Sequence, residues 1–372
     1  MNPTVLVTGG AGFIGSHVVD QLLEEGYDVT VYDKLVEQVH ENAGPRYLAP
    51  EANFIHGDMR DRDALEGALA GVEAVIHLAA EVGVGQSMYE ISRYVDANTS
   101  GTATLLDILA NDVARVERIV VASSMSVYGE GAYLCAEHGI VFPPSRDPAR
   151  LAQQIWEPAC PTCGAELSST GTPESKPLQP GSVYAISKMD QELLCLVAGG
   201  AYGMGVVALR YFNAYGPRQA LANPYTGVGA IFSARLLAAE APLAFEDGLQ
   251  LRDFIHVRDV ARATVSALRT PAAYGHAINI GVGRPMTILE IAGTLARALD
   301  VEIAPEATGK YRAGDIRHCY ADMSKAEELL GFAPAIPFED GVQDLISWVA
   351  RQPASAGLDE ARVELERRGL AR

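Results

Sequence analysis

The sequence predicts an α/β fold with a doubly wound parallel sheet, and three observations carry that expectation. Short runs rich in Val and Ile recur, each ending in a loop of small or polar residues. Segments of helical pattern separate those runs. The first run opens directly into a glycine-rich turn followed by a helix. Strands that alternate with helices form a parallel sheet covered on both faces, and ligands bind outside the strand ends.

The first unit begins with Val5-Leu6-Val7, a buried-strand pattern, and continues into Thr8-Gly9-Gly10-Ala11-Gly12-Phe13-Ile14-Gly15 and a helical pattern through Leu23. Gly9, Gly12 and Gly15 permit a tight turn and let backbone N–H groups approach a pyrophosphate at the helix N-terminus. A glycine loop by itself often serves only a turn; the strand before it and the helix after it point to a dinucleotide site. The second run, Asp28 to Tyr32, ends at Asp33, 18 residues beyond Gly15. A carboxylate there accepts hydrogen bonds from the adenosine ribose and repels a 2′-phosphate, so NAD is expected over NADP. Three more units follow. Asn53–Ile55 leads to Gly57-Asp58-Met59-Arg60, Ala74–Leu78 to Ala79-Ala80, and Ile119–Ala122 to Ser123-Ser124. Helical segments, among them Ala64–Ala70 and Thr102–Leu109, lie between them.

Composition narrows the partners. A chain of 372 residues, 48% hydrophobic and 20% charged, builds one large domain or two coupled ones. With 29 basic and 47 acidic residues the net charge is −18, which repels a polyanion, so no nucleic-acid partner is expected. No apolar run reaches the ~18 residues of a membrane span. The N-terminus lacks the basic start and cleavage signal of a secretory peptide. No membrane partner and a cytoplasmic location are therefore expected.

Several further motifs stand in order along the chain: His77-Leu78-Ala79-Ala80, Ser123-Ser124-Met125-Ser126-Val127-Tyr128-Gly129, Tyr184-Ala185-Ile186-Ser187-Lys188, Arg210-Tyr211-Phe212-Asn213-Ala214-Tyr215-Gly216-Pro217-Arg218 and Arg252-Asp253-Phe254-Ile255-His256. With the glycine loop and Gly57-Asp58-Met59-Arg60-Asp61 they resemble the extended short-chain dehydrogenase/reductase family, from Val5 to about Val349. Within it the chain is similar to nucleotide-sugar 4-epimerases. The stretch Val82–Tyr94, a cysteine-bearing insert and Phe245-Glu246-Asp247-Gly248 resemble the dTDP-L-rhamnose 4-epimerase group.

The resemblance implies a Rossmann-type NAD domain over residues 1–212, holding an insert at about 131–178. It implies a substrate lobe mainly within 213–349, with about 256–284 returning to the large domain and Ala277–Ile280 adding a strand there. Residues 350–372 fall outside the resemblance and form a helix-like tail of no readable role. Cofactor contacts are implied for Gly9, Gly12, Phe13, Ile14 and Gly15, then for Asp33, Lys34, Asp58 and Met59. Leu78, Ala79, Ala80, Asn98, Tyr184, Lys188 and Tyr211 complete that set. A homodimer is implied through a four-helix bundle of segments near Asn98–Ala110 and Tyr184–Ala198.

Tyr184 and Lys188 stand one helical turn apart and so face the same way. A phenol of ordinary pKa about 10 is a poor base, but a neighbouring ammonium and a positive nicotinamide favour the phenolate. Tyr184 can then take a hydroxyl proton while hydride leaves the same carbon. Lys188 is also expected to hold the nicotinamide ribose, and Ser124 to orient the reacting oxygen. A Tyr-x-x-x-Lys pair alone is ordinary on a helix surface; beside Ser124 and the glycine loop it reads as catalytic. The resemblance implies oxidation at sugar C4, turning of the ketosugar, and return of hydride to the other face. Related 4,6-dehydratases carry Thr-Asp-Glu before Val-Tyr-Gly, where this chain has Ser124-Met125-Ser126, so loss of water is disfavoured.

By the same resemblance Asn213 bonds the nucleotide diphosphate and Arg252 and Arg312 neutralise it, arginine being suited to phosphate by its paired donors. Phe245 packs the base and Asp315 touches the ribose. Surface ion pairs are the alternative for either arginine. His256, in Phe254-Ile255-His256-Val257, reads as a packed structural histidine. The expected substrate is thus a nucleotide-diphosphate sugar, dTDP-L-rhamnose first. The rivals are UDP-glucose or UDP-glucuronate 4-epimerisation, 4,6-dehydration, decarboxylation, 4-ketosugar reduction, and an NAD-sensing regulator without chemistry.

Ser124 and Tyr184 are separated by 60 positions, more than the family usually places between them. The extra length holds Cys135-x-x-His138 and Cys160-x-x-Cys163, two short chelating pairs that match a closed, structural Cys₃His zinc site. Incidental cysteines or a disulfide are the alternatives. Cys195 lies among leucines and is expected to be buried; Cys319 has no partner motif.

Overall fold

The computed structural model describes residues 2–40, 44, 47–111, 116–220, 227–312, 314–352 and 363–371. Seven strands make the main sheet: β1 (Thr4–Thr8), β2 (Asp28–Asp33), β3 (Asn53–His56), β4 (Ala74–His77), β5 (Arg118–Ser124), β6 (Gly205–Tyr211) and β7 (His276–Ile280). They run in the order β7-β6-β5-β4-β1-β2-β3, and every neighbouring pair is parallel. The doubly wound class expected from the sequence is the class observed.

Both faces of the sheet are covered, which explains why its central strands run continuously apolar through their middles, as in Val5-Leu6-Val7, instead of at alternate positions. Along β1, Val5 and Val7 enter one core while Leu6 enters the other. Helices α1 (Phe13–Glu24) and α6 (Val257–Leu268) supply Val18, Val19, Leu22 and Val260 to the first core. Helices α2 (Arg62–Ala68), α3 (Gly101–Asn111) and α4 (Val183–Tyr202) supply Leu65, Leu105, Ile108 and Cys195 to the second. Cys195 is fully buried there, as expected. Strand order reverses between β1 and β4, so the crevice beyond their carboxyl ends is the topological binding position.

A third core joins Tyr215, Phe232, Phe254, Ile291, Leu295, Phe338 and Leu345. It lies among α5 (Val228–Leu237), α7 (Ile288–Ala298), α8 (Phe338–Val349) and a small sheet of Asn213–Tyr215, Leu251–His256 and Pro285–Thr287. Between β5 and α4 the chain builds a separate antiparallel sheet from Ala132–Cys135, Gly139–Val141 and Ser168–Thr170. Gly139, at φ +67, closes the hairpin that sets Cys135 opposite it.

The π turn before α3 and the packing of the expected helical tail were not foreseen. The segment entering α3 begins as a helix at Ile91–Tyr94 and continues as a π-helical turn over Val95–Ser100. The C-terminal residues 363–367 are helical, Leu365 and Ala371 are buried, and Glu366 pairs with Lys310 at 2.8 Å. Of the expected tail, residues 353–362 and 372 lie outside the described residues. Among the described residues no helix is long and apolar enough to cross a membrane.

Candidate active site

The crevice starts at the end of β1. Gly9 holds φ +70, and a Cβ there would stand 2.7 Å from the Ala79 nitrogen; one on Gly15 would stand 2.2 Å from the Gly9 carbonyl oxygen. Only glycine fits such an approach. Gly12 precedes α1 without a side-chain cap, so the first-turn N–H groups near Phe13 and Ile14 lack a side-chain partner, the arrangement that suits an anion. Asp33 ends β2. One of its oxygens accepts from the Ala11 N–H at 3.0 Å and the other from the Leu35 N–H at 2.8 Å. Each retains accepting capacity for a ribose hydroxyl.

Lys34 lies 3.5 Å from Asp58 and 3.8 Å from Glu81. Arg60 grips Asp58 with bonds of 2.9 and 2.7 Å, holding its carboxyl well below the usual range. Met59 is buried against Gly101. Leu78 and Ala79 are fastened to Thr8 by bonds of 3.0 and 3.3 Å, and Ala80 follows them out of β4. The Tyr211 hydroxyl is engaged by Thr264 at 2.7 Å, beneath the crevice floor. The close-packed glycines and the Asp33 carboxylate at the end of β2 fit an NAD molecule.

Ser124 ends β5, and Ser182 caps α4 by accepting from the Ala185 N–H, which puts Tyr184 in the first helical turn. The Ser124 hydroxyl stands beside the Tyr184 phenol and favours its ionised form. The Ser126 N–H and hydroxyl both donate to Ser124 Oγ, at 3.2 and 2.9 Å. With both lone pairs taken, Ser124 has its own proton left for Tyr184 or a bound oxygen. Burial pushes the Tyr184 phenol up, and the neighbouring Ser124 opposes that shift. Lys188 is buried, and burial pulls its ammonium down to about 7. Its Nζ donates to Gln191 Oε1 at 2.6 Å, while the Gln191 amide donates to Thr102 at 2.9 Å and to the Ala79 carbonyl at 3.3 Å.

The π turn gives Asn98 its place. Its Oδ1 accepts from the Glu81 N–H at 2.7 Å, and its Nδ2 donates to the Glu81 carbonyl at 3.1 Å and to Ser187 Oγ at 2.9 Å. Such turns re-aim a side chain inside an otherwise regular helix. Asn98 therefore braces the residue beside Lys188. Below, Glu192 accepts from Ser123 and from Arg210, which anchors α4 to β5 and β6.

On the opposite wall the Arg312 guanidinium lies 4.3 Å from the Phe245 ring centre. Arg252 reaches Asp315 Oδ1 at 3.3 Å and the Ile316 carbonyl at 2.6 Å, and Arg312 stands 3.7 Å from Asp315. Burial pushes the Asp315 carboxyl up, but Arg312 and Arg252 prevail and hold it below its ordinary value. Phe245, Arg252, Arg312 and Asp315 thus form one cluster. The Asn213 side-chain oxygen is buried and has no partner among the described residues. Which amide atom points there follows the partner, so an anion would meet the NH₂ end. His256 is buried, accepts from the Arg258 N–H at 3.3 Å at the start of α6, and packs edge-on against Tyr215. Burial holds its imidazole below the usual range, in keeping with a structural role.

In the insert the ligating atoms of Cys135, His138, Cys160 and Cys163 lie within 4.8 Å of one another. Cys135 Sγ is 3.5 Å from His138 Nδ1 and 3.8 Å from Cys163 Sγ, and Cys160 Sγ is 3.8 Å from His138 Nδ1.

Nothing in the sequence assigns a role to Gln191, Ser187 and His77 behind the lysine, or to Glu130 and Arg146 on the insert side. Ser126 was read only for the acid it replaces. No spacing rule marks these residues, because each works through a partner distant in the chain.

The sequence matches the NAD dependent epimerase/dehydratase family over residues 5–146 and 160–281, and the chain belongs to that family. It is an enzyme of the extended short-chain dehydrogenase/reductase type. It is 36% identical to a dTDP-L-rhamnose 4-epimerase of Burkholderia thailandensis, over 94% of this chain and 95% of that one. It is 33% identical to a putative UDP-glucose 4-epimerase of Methanocaldococcus jannaschii, over 93% and 98%. Among solved structures, UDP-glucuronic acid 4-epimerase from Bacillus cereus, in complex with UDP-glucuronic acid and NAD, superposes with a TM-score of 0.75 at 28% identity, covering 94% and 99%. UDP-N-acetylglucosamine 4-epimerase from Methanobrevibacter ruminantium superposes with a TM-score of 0.76 at 31% identity, covering 95% and 99%.

Proposed function

We propose that this enzyme inverts C4 of a nucleotide-diphosphate sugar through a transient 4-keto sugar, with dTDP-L-rhamnose as its substrate. The observation that carries the reading is the set of Tyr184, Ser124 and Ser126, in which Ser126 donates to Ser124 beside the phenol, with Met125 and Ser126 standing where a dehydratase needs acids. Methionine donates no proton and serine is a weak acid and base, so the site moves one proton at O4 and has no second group to expel water. Tyr184, as phenolate, takes the O4 proton; Ser124 donates to the same oxygen and fixes its direction. Lys188, when protonated, stabilises the phenolate. The glycine loop and Asp33 would hold NAD, which would supply the acceptor for the C4 hydride and the donor for its return. After the ketosugar has turned, Tyr184 gives the proton back.

Residues 213–349 supply most of the substrate lobe. Phe245 stacks on the base, Arg252, Arg312 and Asn213 meet the diphosphate, and Asp315 meets the ribose. A UDP-sugar is the second reading, supported by the UDP-glucose and UDP-glucuronic acid enzymes to which the chain is similar. Incubation with dTDP-L-rhamnose without added reductant tests the proposal. A product of equal mass and inverted C4 is expected, and loss of a water mass or of carbon dioxide contradicts it.

The Cys₃His cluster takes a zinc ion as a structural site. Zinc–sulfur bonds of about 2.3 Å and zinc–nitrogen bonds of about 2.0–2.1 Å, at tetrahedral angles, set two sulfurs about 3.8 Å apart and a sulfur and a nitrogen about 3.6 Å apart. Those are close to the Cys135–His138, Cys135–Cys163 and Cys160–His138 separations. Four protein ligands leave no open position for catalysis. The protein pairs as a homodimer through α4 and the segment entering α3, where Ile186, Leu193 and Val197 are 45%, 45% and 71% exposed beside Ile91 and Val95. A contiguous apolar face of this kind marks an interaction surface. A cytoplasmic location suits its free thiols.

A further inference from the structure

Residues 139–159 lie between the two halves of the Cys/His cluster, and the family match passes over 147–159. This added segment reaches across to the wall that carries Phe245, Arg312 and Asp315. Arg146, its side chain 4% exposed, donates to Glu246 Oε1 at 2.7 Å and to the Asp315 carbonyl at 2.9 Å, and its Nε stands 3.1 Å from Glu130. Glu157 accepts from Arg317 at 2.8 Å and meets His318 at 2.9 Å. The Trp156 ring stands 6.3 Å from that of Tyr311, next to Arg312 in the chain.

Glu246 is the point where these contacts converge. It follows Phe245, is buried, and holds φ +54, a left-handed conformation unfavourable for a residue with a side chain. Its N–H donates to the Lys310 carbonyl at 2.6 Å, two residues before Arg312. Its carboxylate lies between Arg146 of the insert and Arg317 of the wall, at 2.7 and 3.0 Å. A buried carboxylate so placed keeps its conformation while both cations remain.

We propose that Arg146 is a positioning residue for the nucleotide subsite. Carried on a segment whose two ends meet at the metal cluster, it fixes Glu246 and the Asp315 backbone, and through them the placement of Phe245, Arg312 and Asp315. The ligand affected is the nucleoside diphosphate half of the substrate, so the inference rests on the nucleotide-sugar reading of that wall. The insert then acts on substrate binding without touching the reacting carbon.

Calorimetric titration of the NAD-loaded enzyme with dTDP and with UDP, beside steady-state kinetics, tests this. Arg146→Met is expected to weaken nucleoside diphosphate binding and raise KM about tenfold, with kcat held within about twofold. Arg146→Lys should recover part of the loss, since it restores charge without the paired donors. Adding Glu246→Gln to Arg146→Met should weaken binding by less than the sum of the two single changes, because the Arg146–Glu246 contact is shared by both. Cys160→Ser should shift KM in the same direction. Unchanged binding in Arg146→Met, or a loss confined to kcat, overturns the proposal. If Arg146→Met does not fold, Glu157→Gln, altered at a half-exposed carboxyl, must weaken binding for the proposal to stand. If the unmodified enzyme binds neither dTDP nor UDP, the nucleotide reading falls and this inference with it.

Discussion

Removing the Ser126 hydroxyl isolates a single hydrogen bond in the catalytic set. In the native enzyme Ser124 Oγ accepts from the Ser126 N–H at 3.2 Å and from the Ser126 hydroxyl at 2.9 Å. Ser126→Ala keeps the first and deletes the second. The freed lone pair lets the Ser124 proton rotate away from Tyr184 and from the sugar oxygen. A neutral hydrogen bond of this kind contributes about 1 kcal/mol, which corresponds to about fivefold in rate. The loss should fall on kcat, because the bond orients a proton and does not hold the nucleotide. The assay is initial-rate kinetics of C4 inversion followed by NMR, with Ser126→Thr as the control that keeps the hydroxyl. A fivefold fall in kcat at constant KM, spared in the threonine variant, is the expected result. An unchanged kcat, or a loss carried wholly by KM, would refute the orienting role.

Other consequences follow from the same geometry. Tyr184→Phe should lower kcat by about 10²–10⁴-fold while bound NAD, measured after denaturation, stays at the native level. Cys160→Ser should release zinc, read by elemental analysis, and lower the melting temperature, whereas Cys195→Ala should keep the metal. His77 is wholly buried between Thr8 and Thr102, and burial lowers its imidazole to about 3, against about 6.5 in the unfolded chain. Its neutral form supports the fold fully above pH 6.5. Below that the unfolded chain binds a proton that the native chain refuses, so stability falls from pH 6.5 towards 3 at about 1.4 kcal/mol per unit. Urea melts at pH 7 and 5 should show a smaller drop for His77→Gln than for the native enzyme. Val197→Glu, on the exposed apolar face of α4, should halve the mass seen by light scattering.

The sheet was legible because its evidence is local. Val5-Leu6-Val7 before the glycines, and Asp33 after the next strand, need only the neighbouring sequence to be read. The pairing of Tyr184 with Lys188 is likewise a matter of one helical turn. What stayed hidden depends on contacts between distant segments or on helix geometry that leaves no periodic mark. Asn98 is named by resemblance, but the π turn that aims it, a shift of about one residue per turn, has no signature in a pattern as short as Val95–Ser100. Gln191 matters because it joins Lys188 to Thr102 and Ala79 across three elements. Arg146 reads as an ordinary loop arginine until Glu246, a hundred positions on, is found against it. The cysteine pairs were visible as spacing, whereas the way their segment leans on the nucleotide wall was not.

The central claim is that C4 is inverted by moving one hydride out and back within the site. Turnover of dTDP-L-rhamnose in deuterium oxide, followed by NMR of the product, tests it most directly. A C4-inverted product of unchanged mass that carries no deuterium at C4 is expected, since the same hydrogen returns. Deuterium at C4, or a product short of one water, would contradict it.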